Sequence, residues 1–529
     1  MKAVLLLGAG VMQGPAILAA KAKGYKVFVA DANPHAPHRD LADVFLAIDL
    51  KDKDALLAAA RTIENLCGVF TAGTDFSASV AWIAEKLGLP GIPYETAVRA
   101  SNKAVMRRCL EEAGVPVPAF RVVQHTDALE TVIAGFESRL REKHRVFPLV
   151  VKPVDNMGAR GCRAVHSLPE LVLAVGEALR YSRSKEAIIE EYIEGPEFSL
   201  DALVIDGTVV IRGIADRYIK FYPYFVEMGH TMPSLYPQDV LDDVVSVFKR
   251  GIQALGITQG AAKGDIKFSK AGASIGEIAA RLSGGYMSGW TYPGASGINV
   301  TAEALDIACG LRPELPQETY HNVSAERAFI SIPGTVLSAE NIARMYDHLF
   351  MRIQPGDEVV FPSNNVEKCG NVIVTRATRE EAESLAEEAA RNIIIRLKPN
   401  VRETDAFLSG GDAVHNKADA AVVWPPEAFS AVDAMVVAMA ESMPDILRDE
   451  RPVRTVGIAP IYTIQDQNAR DFQGRTIPES LALVQKYTGA RLTRDADLVL
   501  GRIFWKALLR GGYQAGMYII DSMLAQRRA

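Results

Sequence analysis

A predicted hairpin carries three ionisable side chains whose spacing would bring them together. Apolar and polar residues alternate on either side of Ala271-Gly272, which predicts two short strands joined by a tight turn. With the turn centred there, Asp265 lies opposite Glu277, and Arg281 shares the face of Glu277 because side chains alternate along a strand. Two opposed carboxylates repel each other unless a cation lies between them. Mg²⁺ accepts one or two carboxylates together with phosphate oxygens, and arginine binds phosphate strongly. The spacing therefore predicts a nucleotide–metal site, with an ordinary exposed hairpin as the alternative.

A lysine and a glycine-punctuated loop upstream are candidates for phosphate binding. Lys152 follows an apolar run and precedes a short polar loop that contains Gly158 and Gly161. Backbone amides in such a turn can bind phosphate; a plain hairpin turn is the alternative. Lys103 lies in the first turn of a helix that we expect Ser101 to cap. The helix dipole disfavours a lysine there, and a bound phosphate would reverse that effect.

A strand, a tight bend and a second strand are predicted between residues 187 and 205. Such a bend leaves backbone N–H and C=O groups that can pair with a purine edge, and a carboxylate after it can accept hydrogen bonds from ribose hydroxyls. The side chains at this bend are Glu190, Glu191, Tyr192, Ile193 and Glu197.

The elements before these motifs predict a doubly wound parallel sheet. Strands and helices alternate through residues 1–100, which is typical of an α/β fold. Gly8, Gly10 and Gly14 follow the first strand, and Asp31 ends the second. These glycines are spaced one residue wider than a dinucleotide fingerprint, so a nicotinamide dehydrogenase is one alternative. The loop amides could instead hold a small anionic substrate at the helix N-terminus.

Composition narrows the class of protein. The chain has 529 residues, 49% hydrophobic and 23% charged, enough for several globular domains. A net charge of -6 without a long basic stretch argues against nucleic acid as a partner. No segment is typical of a membrane span, because glycines and a proline interrupt the apolar N-terminal run. The five scattered cysteines predict reduced thiols in a cytoplasmic protein.

The order of these motifs resembles the ATP-grasp superfamily, in particular its small-molecule, amino-acid type carboxylate–amine ligases. A Lys-Pro before a glycine loop, Glu-Glu-Tyr-Ile, Gly-x-Glu and then the hairpin carboxylates and arginine follow one another as in that family. The opening segment also resembles the domain that precedes ATP-grasp, with Gly-Ala-Gly at 8–10, Asp-Ala-Asn-Pro at 31–34 and Gly-Thr-Asp at 73–75. The resemblance covers roughly residues 1–400.

The resemblance implies an α/β ATP-grasp architecture with four parts. These are an N-terminal doubly wound parallel-sheet domain (1–100), two α+β subdomains forming the ATP-grasp domain (101–325), a closing α/β domain (326–400) and a helix-rich extension (401–529). In the extension, Thr476-Ile-Pro-Glu479 predicts a helix start, and Gly511-Gly512 is expected to separate two helices. Core packing, a homodimer interface and a substrate-selecting wall all remain open as its role.

The resemblance also implies the role of each candidate side chain. Lys103 and Lys152 contact the phosphates of ATP, and the loop from Gly158 to Gly161 closes over them. The adenine and ribose are contacted by Glu190, Glu191, Tyr192, Ile193 and Glu197, with His230 near the nucleotide or, alternatively, structural. Asp265 and Glu277 hold Mg²⁺, and Arg281, with Lys152, acts in catalysis. Ala279 stands where many members have asparagine, which leaves open whether one or two Mg²⁺ ions bind.

The implied reaction joins a carboxylate to an amine at the cost of ATP. The carboxylate attacks the γ-phosphate to give an acyl phosphate and ADP, and the amine then displaces phosphate. Both substrates are expected to be small molecules. The alternatives are a bicarbonate-activating carboxylase, which uses the same ATP half, and a non-catalytic nucleotide-binding regulatory module.

Overall fold

A computed structural model describes residues 1–126, 129–137, 146–316, 320–409, 470–490 and 502–526. The chain divides into two compact units. The first comprises Met1–Ile219, Gly229–Glu326 and Ile373–Ser384, and the second comprises Lys220–Met228, Arg327–Val372 and Leu385–Ala529. Most of the predicted extension, including residues 410–469 and 491–501, lies outside the described residues.

The strands, in chain order, are β1 (Ala3–Leu7), β2 (Lys26–Asp31), β3 (Val44–Ala47), β4 (Leu66–Phe70), β5 (Phe120–Val123), β6 (Leu149–Pro153), β7 (Arg163–Val165), β8 (Ala187–Glu191), β9 (Glu197–Ile205), β10 (Thr208–Lys220), β11 (Val226–Met232), β12 (Gly260–Ser269), β13 (Gly272–Ala279), β14 (Val323–Phe329), β15 (Gly334–Asn341), β16 (His348–Met351), β17 (Glu358–Val359), β18 (Gly370–Arg376) and β19 (Ile393–Leu397). The α-helices are α1 (Gly14–Ala22), α2 (Lys53–Ala60), α3 (Ser77–Leu87), α4 (Tyr94–Ser101), α5 (Lys103–Glu112), α6 (Leu129–Glu137), α7 (Leu168–Tyr181), α8 (Gln238–Leu255), α9 (Tyr292–Ser296), α10 (Val300–Ala308), α11 (Arg379–Arg391), α12 (Arg402–Ser409), α13 (Ile477–Thr488) and α14 (Arg502–Gln526).

The first unit begins with the predicted parallel sheet, in the order β3-β2-β1-β4. β1 is buried along its whole length, as expected of a central strand covered on both faces. Just beyond β4, the Thr71 hydroxyl donates to the Leu7 carbonyl at 2.7 Å. This bond fixes the carboxyl end of the sheet, where the loop carrying Gly73 and Asp75 begins.

An antiparallel sheet, β5-β8-β6-β7, follows in the same unit. Its pairing places Val150 of β6 opposite Glu190 of β8. Helix α5 begins beside it, and its cap is Asn102 rather than the predicted Ser101. The Asn102 side chain accepts hydrogen bonds from the amides of Ala104 and Val105 at 2.9 and 3.1 Å.

The predicted hairpin is formed by β12 and β13, at the edge of a sheet in which β12 also pairs with β9 and β9 with β10. Ser269 pairs with Gly272, so the turn lies one residue earlier than predicted. A bulge at Gly276 restores the register and places Asp265 opposite Glu277, as predicted. A Cβ at Gly276 would lie 2.8 Å from the Asp265 carbonyl oxygen, so the bulge needs glycine.

The second unit contains a three-stranded sheet, β17-β15-β19, and the described C-terminal helices. Helix α13 begins at the predicted capping box, with Thr476 and Glu479 each bonding the other's backbone. Helix α14 is interrupted at Gly512 (φ +59°, ψ -150°), where a break was predicted. Following the break, the Tyr513 hydroxyl accepts from the Ile395 amide of β19 at 3.0 Å. Helix α14 is therefore anchored to this sheet.

Within the part of the chain that the structure describes, no helix is long and apolar enough to cross a membrane.

Candidate active site

A buried carboxylate, Glu190, joins two cations at the centre of the candidate site. One of its oxygens lies 2.7 Å from Arg107 Nε and the other 2.7 Å from Lys152 Nζ. Burial alone would raise the pKa of Glu190, but Arg107 and Lys152 outweigh it and lower the pKa to about 2. Both carboxylate oxygens of Glu190 therefore form ion pairs. These contacts favour a role for Glu190 in holding Lys152 in place, rather than the predicted contact with adenine.

Arg107 connects this carboxylate to the hairpin. Its side chain is fully buried, and Nη2 donates to the Gly276 carbonyl at the bulge, at 2.6 Å. Sequence reasoning did not identify Arg107. The signal was present, however, because Arg107 follows Lys103 by four positions on α5, which places both on one face of the helix.

Lys103 links the hairpin to the glycine loop. Its ammonium lies 3.2 Å from Glu277 Oε1 and donates to the Asn156 carbonyl at 2.8 Å. Burial would raise the pKa of Glu277, but Lys103, Lys263 and Arg281 together hold it well below its usual range. Glu277 is therefore ionised and surrounded by basic side chains, an arrangement that suits an anionic ligand such as a phosphate.

Asp265 is likewise surrounded by basic and hydroxyl groups. It forms an ion pair with Lys263, lies 3.0 Å from Arg217 Nη1, and accepts from the Ser199 hydroxyl at 3.3 Å. Arg217 also pairs with Glu197, the predicted ribose ligand. Lys263 was not among the predicted site residues, although it lies two residues before Asp265 and so on the same face of β12.

Two opposed carboxylates are the predicted ligands of a metal ion. Asp265 and Glu277 supply hard oxygen ligands, which suit Mg²⁺ when phosphate oxygens and water complete its shell. No group of three or more His, Cys, Asp or Glu side chains arranged to hold a metal occurs among the described residues. Ala279 is 6% exposed and offers no ligand atom. The two carboxylates therefore fit a Mg²⁺ ion that is also bound by phosphate oxygens of a ligand.

Arg281 presents a buried hydrogen-bond donor. Its side chain is 10% exposed, Nη2 lies 2.8 Å from Asp75 Oδ1, and Nη1 donates to the Leu282 carbonyl at 3.1 Å. Its Nε has no acceptor among the residues that the structure describes. A buried donor left unbonded costs about 1–3 kcal/mol. The arrangement therefore suits an anionic ligand.

The glycine loop between β6 and β7 is fixed at its base. The Asp155 carboxylate accepts from the amides of Arg183 and Ser184 at 2.9 and 2.8 Å. Gly158 and Gly161 both have positive φ, +68° and +67°. These conformations favour glycine and give the loop the backbone curvature that an amide-lined phosphate site needs.

The predicted nucleotide-edge residues lie at different depths. Glu191, Tyr192 and Ile193 are half-buried at and beyond the end of β8, and the Lys267 ammonium lies 5.7 Å from the centre of the Tyr192 ring. His230 is 2% exposed. Its Nε2 lies 2.7 Å from the Thr291 hydroxyl and its Nδ1 3.3 Å from a Glu326 oxygen. Both ring nitrogens are thus engaged, which favours the structural alternative for His230.

The backbone amides of the N-terminal glycine loop already donate hydrogen bonds to groups of the protein itself. The Gly8 amide donates to the Ala30 carbonyl, the Ala9 amide to the Asp31 carboxylate at 2.9 Å, and the Gly10 amide to the Gln13 side chain at 3.1 Å. With these donors occupied, the loop offers little to a dinucleotide phosphate or to an anionic substrate. The structure does not favour the nicotinamide alternative.

The fold is that of ATP-grasp proteins. The crystal structure of an L-amino acid ligase from Bacillus licheniformis superposes with a TM-score of 0.64 at 21% identity, over 75% of this chain and 99% of that one. Residues 145–289 match the ATP-grasp domain, and residues 328–398 match L-amino acid ligase C-terminal domain 2. The chain therefore contains an ATP-grasp domain, and the predicted fold class is confirmed. The second match lies inside the predicted closing domain, whose boundaries stay a prediction.

Curated relatives extend the similarity to named ligases. Human carnosine synthase 1 is 24% identical over 416 residues, which are 72% of this chain and 49% of that protein. The L-arginine-specific L-amino acid ligase of Bacillus subtilis is 28% identical over 257 residues, 47% of this chain and 59% of that protein. The chain thus spans about half the length of these relatives.

Proposed function

We propose that this protein is an ATP-dependent, ADP-forming ligase that joins a small-molecule carboxylate to an amine. The observation that carries the proposal is the hairpin pair Asp265 and Glu277, of which Glu277 is linked to the glycine loop through Lys103. This pair lies inside a range that matches the ATP-grasp domain. The match of residues 328–398 to an L-amino acid ligase domain favours this class over a carboxylase.

In this proposal the cations of the site hold the phosphates of ATP. Lys152, oriented by Glu190, lies in the strand that precedes the glycine loop, and Lys103 donates to the Asn156 carbonyl of that loop. Asp265 and Glu277 would hold Mg²⁺, which when bound neutralises phosphate charge and aligns the phosphoryl group. The opposed register and the ionised state of Glu277 support this assignment.

The remaining predicted contacts serve the nucleoside and the reacting carboxylate. The backbone of residues 191–193 pairs with adenine, and Glu197 accepts from the ribose. Arg281 Nε donates to the carboxylate under activation or to its acyl phosphate, since that donor is buried and has no acceptor among the described residues. Closure of the Gly158–Gly161 loop excludes water, which would otherwise hydrolyse the acyl phosphate.

We propose that at least one substrate is an amino acid, because the relatives include enzymes named L-amino acid ligases. We also propose a cytoplasmic location, a proposal that the five free thiols support. The homodimer remains a proposal that a sedimentation measurement would decide.

The test is ADP release with Mg²⁺ across a panel of amino acid pairs. We expect turnover that requires both a carboxylate and an amine, and loss of that turnover in Lys152→Ala. The control Lys51→Ala removes an exposed lysine and should match the wild type. ADP release with bicarbonate and one amine would support the carboxylase. Nucleotide binding without turnover under every pair would support the regulatory module.

A further inference from the structure

The loop after β4 meets the segment after β13 through two glycines. Gly73 has φ +65°, and a Cβ there would lie 2.8 Å from Met12 Cβ and 3.3 Å from Gly284 Cα. A Cβ on Gly284 would lie 3.3 Å from the Gly73 carbonyl oxygen. A Cβ at either position would crowd this contact, so the close approach of the two backbones favours glycine at both. This approach brings Asp75 to Arg281.

Asp75 fixes one end of the Arg281 guanidinium. Its Oδ1 lies 2.8 Å from Nη2, and the Leu282 carbonyl accepts from Nη1 at 3.1 Å. Because the guanidinium is planar, holding both Nη atoms also sets the direction of Nε. The Nε–H is the donor that no described residue accepts. The group is therefore oriented before any ligand arrives.

We propose that Asp75 is a positioning residue, which orients Arg281 so that Nε donates to the carboxylate or acyl phosphate of the reaction. The inference rests on the proposed ligase function and adds a contribution from the N-terminal sheet domain to it. A group oriented in advance loses little conformational freedom on binding. A misplacement of about 1 Å can cost roughly 100-fold in rate, so the effect should appear in kcat.

The first test measures the kinetics of three single variants, Asp75→Ala, Asp75→Asn and Arg281→Ala, against the wild type. A double variant combines Asp75→Ala with Arg281→Ala. Asp75→Ala should lower kcat roughly tenfold or more and leave the KM for ATP unchanged. Asp75→Asn should retain most activity, because the amide oxygen can still accept from Nη2. In the Arg281→Ala background, Asp75→Ala should have no further effect. Asp40→Ala removes a fully exposed carboxylate of the same domain and should match the wild type. Wild-type kcat in Asp75→Ala, or losses that add in the double variant, would overturn the proposal.

A second test does not depend on turnover. Inorganic phosphate is titrated calorimetrically into the enzyme saturated with Mg²⁺ and ADP. We expect Asp75→Ala and Arg281→Ala to weaken phosphate binding by roughly tenfold or more, while Asp75→Asn and Asp40→Ala do not. ADP affinity should be equal in all variants.

The outcomes separate the two proposals. If no substrate pair supports turnover, the proposed function fails, and the phosphate titration still decides the role of Asp75. If only Arg281→Ala loses phosphate binding, the positioning role of Asp75 is overturned while the role of Arg281 stands. If neither variant loses it, both roles are overturned.

Discussion

Glu190→Gln removes a buried carboxylate that lies between the buried Arg107 and the half-buried Lys152, and its cost can be worked from the structure. The carboxylate lies 2.7 Å from both Arg107 Nε and Lys152 Nζ, and its pKa falls from 4.5 to about 2. A shift of that size corresponds to about 3 kcal/mol of preference for the charged form. Breaking a buried ion pair typically costs about 3–5 kcal/mol, because an uncompensated charge remains. We expect Glu190→Gln to lose about 3 kcal/mol of stability and also turnover, since Lys152 loses its partner.

The pH dependence follows from the same shift. On acidification the unfolded chain takes up the proton on Glu190 before the folded chain does, because the folded pKa is lower. The contribution of Glu190 is therefore complete above pH 4.5 and is lost as the pH falls towards about 2. Over that interval the wild type should lose its stability advantage over Glu190→Gln.

The assay is urea unfolding of the wild type and Glu190→Gln in buffers from about pH 7 to about pH 3. Glu194→Gln is the matched control, because Glu194 is an exposed glutamate four residues along. The control should unfold at the wild-type urea concentration. Equal midpoints for all three proteins at neutral pH would refute the argument that Glu190 balances the charges of Arg107 and Lys152.

Three further predictions concern the hairpin and the second unit. Glu277→Gln should lower ADP release by roughly 100-fold or more with an unchanged circular dichroism spectrum; a fully active variant would rule out the metal assignment. Gly276→Ala places a Cβ 2.8 Å from the Asp265 carbonyl. It should weaken Mg²⁺-dependent nucleotide binding by roughly tenfold in calorimetry, whereas Gly176→Ala, where a Cβ has open space, should not. Burial raises the pKa of Asp471 to about 6, so the folded chain binds the extra proton and stability should fall as pH rises from 3.8 to about 6. Asp471→Asn should flatten that dependence in thermal unfolding, and an unchanged slope would contradict the assignment.

The sequence alone determined what depends on local periodicity and turn chemistry. Alternation along β12 and β13 was enough to oppose Asp265 and Glu277, although the turn was one residue off and a bulge corrected the register. The capping box at Thr476 and the break at Gly512 could also be predicted, because both depend on the backbone preferences of a few adjacent residues. The order of motifs sufficed for the ATP-grasp fold.

Tertiary structure alone decided which charges meet. The side chain of Glu190 points to Arg107 and Lys152, and Asp75 reaches Arg281 from 206 positions away. These pairs join elements far apart in the chain, and no local pattern specifies which distant side chain will share a buried space. His230 was assigned to the nucleotide by its place in the chain, yet packing encloses it between Thr291 and Glu326. Residue types and spacing thus predicted which groups are candidates for the chemistry. Their charge balance and orientation arise only when the strands pair and the loops close on one another, because burial and Coulomb interactions depend on distance in space rather than along the chain.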